Sequence, residues 1–170
     1  MREMRFSVDV TLARVPVANR WISDRWQPVE VVAATEPAAD APEYRCDSDD
    51  ASRWTAKGVS VLLHPTEAEG YFLNITAPEP KLFVMWRRAE DGELPPVQVV
   101  VVTASYNEAA RSLDGGEQVD SLPLPREVAA WLQRYVAEHY KPEPRRKVRR
   151  NDPFAGDVPP RGHQDPPASQ

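Results

Sequence analysis

Cysteine, histidine and glycine are scarce in this chain, and each scarcity excludes a class of chemistry. Cys46 is the only cysteine in 170 residues, so no internal disulfide and no thiolate metal site can form. The three histidines, His64, His139 and His163, stand too far apart for metal-ligand spacing. Among seven glycines, the pair Gly115-Gly116 lacks the Lys and Ser/Thr of a phosphate loop, and no G-x-S-x-G elbow occurs. No stretch approaches the ~20 apolar residues of a membrane span. The start, Met1-Arg2-Glu3-Met4-Arg5-Phe6, lacks the apolar core of a secretory signal. These absences lead to the expectation of a cytoplasmic protein that is not an enzyme, with no cofactor, no metal and no catalytic residue.

What is present is a foldable body with an unlike end. Hydrophobic residues make up 41% and charged residues 28%, a globular balance. Residues 1–140 hold 14 Lys and Arg against 22 Asp and Glu, whereas residues 141–150 hold six basic groups against Glu143 alone. Residues 141–170 also contain seven of the 18 prolines, with Phe154 as their only aromatic. Such a segment does not offset its ordering entropy. The expected organisation is one globular, β-rich domain over 1–140 and a disordered, proline-rich basic tail over 141–170.

Period-2 alternation of Phe6, Val8, Val10 and Leu12 predicts a strand ending at Val15-Pro16. A loop over Asn19 to Trp26 and a β-rich run over Val29 to Val32 follow, and residues 33–52 read as a long exposed loop. In the next strand, Trp54 and Ala56 are out of phase with Val59, Val61 and Leu63, which predicts a bulge near Gly58. Further strands are expected at Tyr71 to Thr76, opened by Gly70, and at Leu82 to Trp86. Another is expected at Val97 to Thr103, whose four consecutive valines suggest burial on both faces. The period then changes. Ser105 and Glu108 form a capping box for a helix that stops at Gly115-Gly116. Pro125 suits the first turn of a second helix with the stripe Val128, Trp131, Leu132, Tyr135 and Val136. The fold class is α+β: a small, mostly antiparallel β-barrel or curled sheet of about six strands, closed by two C-terminal helices.

Two features suggest binding. Arg20-Trp21 and Arg25-Trp26 set two Arg-Trp pairs five residues apart, and these residue types dominate interface hot spots. The plainer reading, placed slightly ahead, is that both indoles close the open end of the sheet while the arginines stay wet, with room for one exposed Trp. The second feature is a basic cluster, Arg145, Arg146, Lys147, Arg149 and Arg150, followed by the aromatic Phe154. It reads as a peptide motif that orders on a protein surface, with a solvated tail as the plain alternative. Nucleic-acid binding is the second functional reading, weakened by the acidic body and the absence of aromatic stacking platforms. A third, enzymatic reading would need a deep pocket joining His64 to Glu67 or Glu69, which otherwise read as a solvated turn.

Particular runs also resemble a known family. They are Val17-Ala18-Asn19-Arg20-Trp21 with Arg25-Trp26-Gln27-Pro28-Val29, Glu69-Gly70-Tyr71-Phe72-Leu73-Asn74 with Pro78-Glu79-Pro80-Lys81, and Ser105-Tyr106-Asn107-Glu108-Ala109-Ala110 with Asp114-Gly115-Gly116-Glu117. With Lys141-Pro142-Glu143-Pro144 and Asp152-Pro153-Phe154, they resemble the proteobacterial family domain of unknown function 3305, over roughly residues 8–154. Members of that family are typically encoded beside molybdenum- or tungsten-dependent formate dehydrogenase subunits and their maturation factors. The resemblance implies a non-catalytic accessory or assembly protein that binds a formate dehydrogenase subunit or maturation factor. It supplies no catalytic residues.

Overall fold

A computed structural model describes residues 4–144. Seven strands form one sheet: β1 (Arg5–Pro16), β2 (Asp24–Ala33), β3 (Glu43–Cys46), β4 (Arg53–Leu62), β5 (Lys81–Arg88), β6 (Val97–Thr103) and β7 (Gln118–Pro123). Three helices accompany them: α1 (Ala68–Ile75), α2 (Tyr106–Asp114) and α3 (Arg126–His139). Six strands run in the order β2-β1-β4-β6-β5-β7, and β3 adds to β4 off that path. All pairings are antiparallel except β4 with β6, which meet at Val61 and Val102. The sheet curls into a nearly closed α+β barrel, the expected class.

The expected bulge in β4 is present and has a cause. Val8 pairs with Val59 and Val10 with Ala56, so β4 carries one residue too many at Lys57-Gly58. Gly58 takes φ +73, a left-handed conformation that suits glycine. Asp9 fastens the bulge: its carboxylate accepts from the Gly58 N–H at 3.0 Å and pairs with Lys57 Nζ at 2.7 Å. A buried acid at this point is therefore structural.

Val8, Val10, Leu12, Val59, Val61, Leu82, Val84, Val97 and Val102 fill the barrel. The α3 stripe plugs one end with Val128, Leu132, Tyr135 and Val136 buried, while Trp131 is half-buried against Phe6 at 5.2 Å between ring centroids. Each large apolar side chain so placed contributes roughly 1.5–3 kcal/mol.

Several expectations are corrected. Residues 71–76 are not a strand: Ala68 to Ile75 form α1, with Ala68 and Tyr71 buried three residues apart and Phe72 and Ile75 packed beside them. That helical spacing was masked by Gly70, which does not open a strand but lets α1 pass close to α2. Residues 33–52 are not only a solvated loop, since they contain β3, with Cys46 at its end. The β2 strand begins at Asp24, ahead of the expected Val29. The valines of β6 are not buried on both faces, because Val100 and Val101 are exposed. Met85 pairs with Val101 and Trp86 with Val99, so Val100 is the extra residue of a further bulge that breaks the alternation. Three helices are present where two were expected, and β7 separates α2 from α3. Among the described residues, no helix is long and apolar enough to cross a membrane.

Candidate functional site

The two Arg-Trp pairs meet different fates because they lie on different backbone. Trp26 sits in β2 opposite Arg14, points inward and is only 9% exposed. Arg25, one residue earlier, takes the opposite face of the pleat and donates to Gln27 Oε1 at 2.9 and 3.2 Å. Arg20 and Trp21 occupy the loop 17–23 that joins β1 to β2. This loop is tied down: the Val17 N–H donates to the Ser23 carbonyl at 3.1 Å, and the Trp21 N–H donates to Asn19 Oδ1 at 2.9 Å. Asn19 thereby forms a side-chain turn of the kind that fixes loop backbone. At its tip Trp21 is 86% and Ile22 54% exposed. Of the two indoles, Trp26 is the buried one and Trp21 the exposed one, an outcome the plainer reading allows.

Beside the tip lies a cleft of about 460 Å³ between the unpaired edges of β2 and β7, lined by Ile22, Arg25, Trp26, Trp86, Leu113 and Asp120. Its floor is braced by a hydrogen bond that Trp86 Nε1 donates to Asp120 Oδ2 at 2.6 Å across β5 and β7. Ile22, Trp86, Leu113 and Asp120 were not singled out in the sequence. They come from four separate segments, and only the curl of the sheet unites them.

Arg145, Arg146, Lys147, Arg149, Arg150 and Phe154 lie outside the described residues, as does the expected disorder beyond Pro144.

The candidate pairing of His64 with Glu67 or Glu69 is not assembled as one pocket. Glu67 turns to α2, accepting from Ser105 Oγ at 2.5 Å and from Arg111 at 2.5 Å. His64 lines a shallow groove of about 300 Å³ with Leu62, Val100, Val101 and Glu108. Ser105 caps α2 as expected by accepting from the Glu108 N–H at 3.1 Å. The return half of the box runs through Thr103, whose hydroxyl donates to Glu108 Oε2 at 2.6 Å and accepts from the Ser105 N–H at 3.0 Å. Among the described residues, no group of three His, Cys, Asp or Glu side chains is placed to hold a metal ion.

Tyr71 anchors this polar knot to the core. Its hydroxyl accepts from the His64 N–H at 2.9 Å, and burial pushes its phenol up to about 12. The fold therefore disfavours the phenolate. Its contribution is intact below the ordinary tyrosine value of about 10 and is lost as pH rises from there through the folded value. Tyr71→Phe is expected to cost about 1 kcal/mol at neutral pH and to flatten the alkaline fall in stability. Urea midpoints measured across the alkaline range check this. Burial also raises Tyr44 and Tyr135, which leaves a residual slope.

No curated protein and no solved structure matches this chain. A family model described as Protein of unknown function (DUF3305) matches residues 7–149. The Arg20–Trp26 hairpin, the polar knot of α1 and α2 and the plugging helix α3 all fall within that match, which spans well over half of the sequence, and the chain belongs to the DUF3305 family.

Proposed function

We propose that this chain is a non-catalytic accessory or assembly protein of a molybdenum- or tungsten-dependent formate dehydrogenase system, acting by binding an enzyme subunit or maturation factor. The observation that carries the binding part is Trp21, 86% exposed on a loop held by its own hydrogen bonds. An exposed indole on fixed backbone loses little entropy on docking, which is what a hot spot requires. Arg20 beside it and the cleft behind it extend the surface. The formate dehydrogenase part is supported by the family resemblance, and the binding chemistry is independent of it.

Co-purification of the tagged full chain from cells expressing a formate dehydrogenase locus tests the proposal. Recovery of an enzyme subunit or a maturation factor is the expected result. Recovery of neither, with full formate oxidation in a deletion strain, overturns it. Retention of nucleic acid with a steep loss on added salt would favour the second reading, through the basic groups at 145–150. Trp21→Ala is expected to change folding stability by no more than about 0.5 kcal/mol, because the ring packs on little. The same variant should lower partner recovery by about tenfold or more, as truncation of a hot-spot indole does. Denaturation curves and quantified pull-downs of the same preparation read both effects.

A further inference from the structure

Among the described residues, β2 and β7 end the strand order, so each leaves one row of main-chain groups without a ladder partner. Hydrogen bonds at the strand ends fix which residues these are. The Val17 N–H reaches the Ser23 carbonyl at 3.1 Å, so alternate residues of β2, Arg25 and Gln27, bond to β1. Asp24 and Trp26 therefore turn their N–H and C=O outward. Arg14, opposite Trp26, agrees: its N–H points the other way, to the Ser52 carbonyl at 2.8 Å. Across the gap, the Leu124 N–H reaches the Pro80 carbonyl at 3.0 Å. Gln118, Asp120 and Leu122 thus bond to β5, while Val119 and Ser121 turn outward.

Both rows face the cleft of about 460 Å³, at the starts of the two strands. Following the pairings from β2 to β7, the two strands run in the same direction. One extended chain running the other way is antiparallel to both. The volume lies in the range of roughly 300–1,000 Å³ that holds a drug-sized molecule, which suits a short peptide and no folded domain. Asp24 is paired with Arg14, and the other charges lining the cleft balance, Arg25 and Arg88 against Glu117 and Asp120. Side-chain charge thus favours neither sign, and the main-chain rows are the feature that selects an occupant. An apolar side chain suits the inward position, beside the indoles of Trp26 and Trp86. Cα atoms of β2 and β7 come within 8 Å of one another. A strand between them needs about 9.5 Å, so the seam widens by about 1.5 Å or more to admit one. No ladder hydrogen bond crosses the seam, and only side-chain contacts have to yield.

We infer that this cleft takes an extended, largely uncharged segment of the partner as an added strand between β2 and β7, beside the Trp21–Ile22 tip. Main-chain hydrogen bonds from Val119 and Trp26 supply the affinity, and the apolar inward position supplies the selectivity. Strand addition rests on the reading that this face meets a partner, and it names how the partner engages.

Random short peptides displayed on phage and selected on the immobilised full-length chain supply the probe, and amide hydrogen exchange of the isotope-enriched chain supplies the readout. In the free chain, the Trp26 and Val119 amides should exchange roughly tenfold or more faster than those of Asp120 and Leu122. A selected peptide, made synthetically, should slow both Trp26 and Val119. N-methylation of one central amide of that peptide should weaken binding roughly tenfold or more, because a main-chain bond is lost and its acceptor is left unmet. Val119→Pro removes the edge donor on the protein side and should have the same effect. The methylated peptide reads the same bonds on the unaltered chain should the proline disturb β7. Slow exchange at Trp26 and Val119 in the free chain at every concentration would mean that the two edges already pair, and overturns strand addition. Slowing that grows with protein concentration alone assigns the cleft to a second copy and also overturns it. Peptides that tolerate N-methylation, peptides that protect only other residues, or a selection that enriches none overturn it as well. Failure here with an enzyme subunit recovered by co-purification would leave the partner standing and docked by side chains alone. Success here without that recovery would keep the added strand and remove formate dehydrogenase as its source.

Discussion

Gly70→Ala is expected to destabilise the fold by roughly 3 kcal/mol, although it adds a single methyl group to a helix. The added carbon would fall on Ser105 Oγ, with Ser105 Cβ and the Asn107 backbone nitrogen each 3.3 Å away. Neither neighbour can yield cheaply. Ser105 is fully buried, caps α2 through the Glu108 N–H and donates to Glu67, and Asn107 presents main chain. Overpacking of this kind costs about 1–3 kcal/mol, and disturbing the cap adds about 1 kcal/mol. Gly115→Ala is the matched control, because its φ of -76 is ordinary and its nearest atoms are at 3.4 and 3.5 Å. Urea unfolding of both variants reads the difference. A Gly70→Ala midpoint equal to that of the control would mean that α1 and α2 do not pack this closely in solution.

Asn74→Ala is expected to cost about as much, by another route. Asn74 is 2% exposed and bridges three segments. Its Nδ2 donates to the carbonyls of Lys81 at 2.7 Å and Ala104 at 2.8 Å, and its Oδ1 accepts from the Lys81 N–H at 2.9 Å. Removing the amide strands backbone groups at the entry to β5 and the exit from β6, and each buried orphan costs about 1–3 kcal/mol. A loss of about 3 kcal/mol in equilibrium unfolding is the expected value. Asn74→Asp adds a pH signature. A carboxylate facing two carbonyls has its pKa raised in the folded state, so this variant should be least impaired in acid and lose ground as pH rises above the unfolded value.

Gly70, Tyr71 and Asn74 belong to one of the runs that carry the family resemblance, and all three are explained by the fold. Gly70 allows close approach, Tyr71 holds the His64 N–H and Asn74 joins α1 to two strands. From sequence the same run reads as a strand, because a glycine beside aromatic residues imitates strand punctuation. Only the burial of Ala68 and Tyr71, three apart, reveals the helix. The β4 bulge, the α2 cap and the α3 stripe were legible because each is local: a phase slip, a Ser-x-x-Glu spacing and a 3.6-residue period. The bulge at Val100 and strand β7 were not, since their pairing to β5 is set by residues more than ten positions away. Of the candidate site, the Arg20-Trp21 tip was visible as a motif. The difference between Trp21 and Trp26 was not, because it depends on where the hairpin ends.

The β4 strand shares its outer edge between two neighbours. Its first half pairs with β3 over Trp54 to Lys57, and Val61 pairs with β6 beyond the bulge. Where β6 leaves β4, the Tyr44 hydroxyl of β3 accepts the Val99 N–H at 2.8 Å. The insertion between β2 and β4 is therefore a masonry patch in the wall. An engineer seeking a dispensable stretch to excise, or a place to splice in a reporter, should leave residues 43–46 alone.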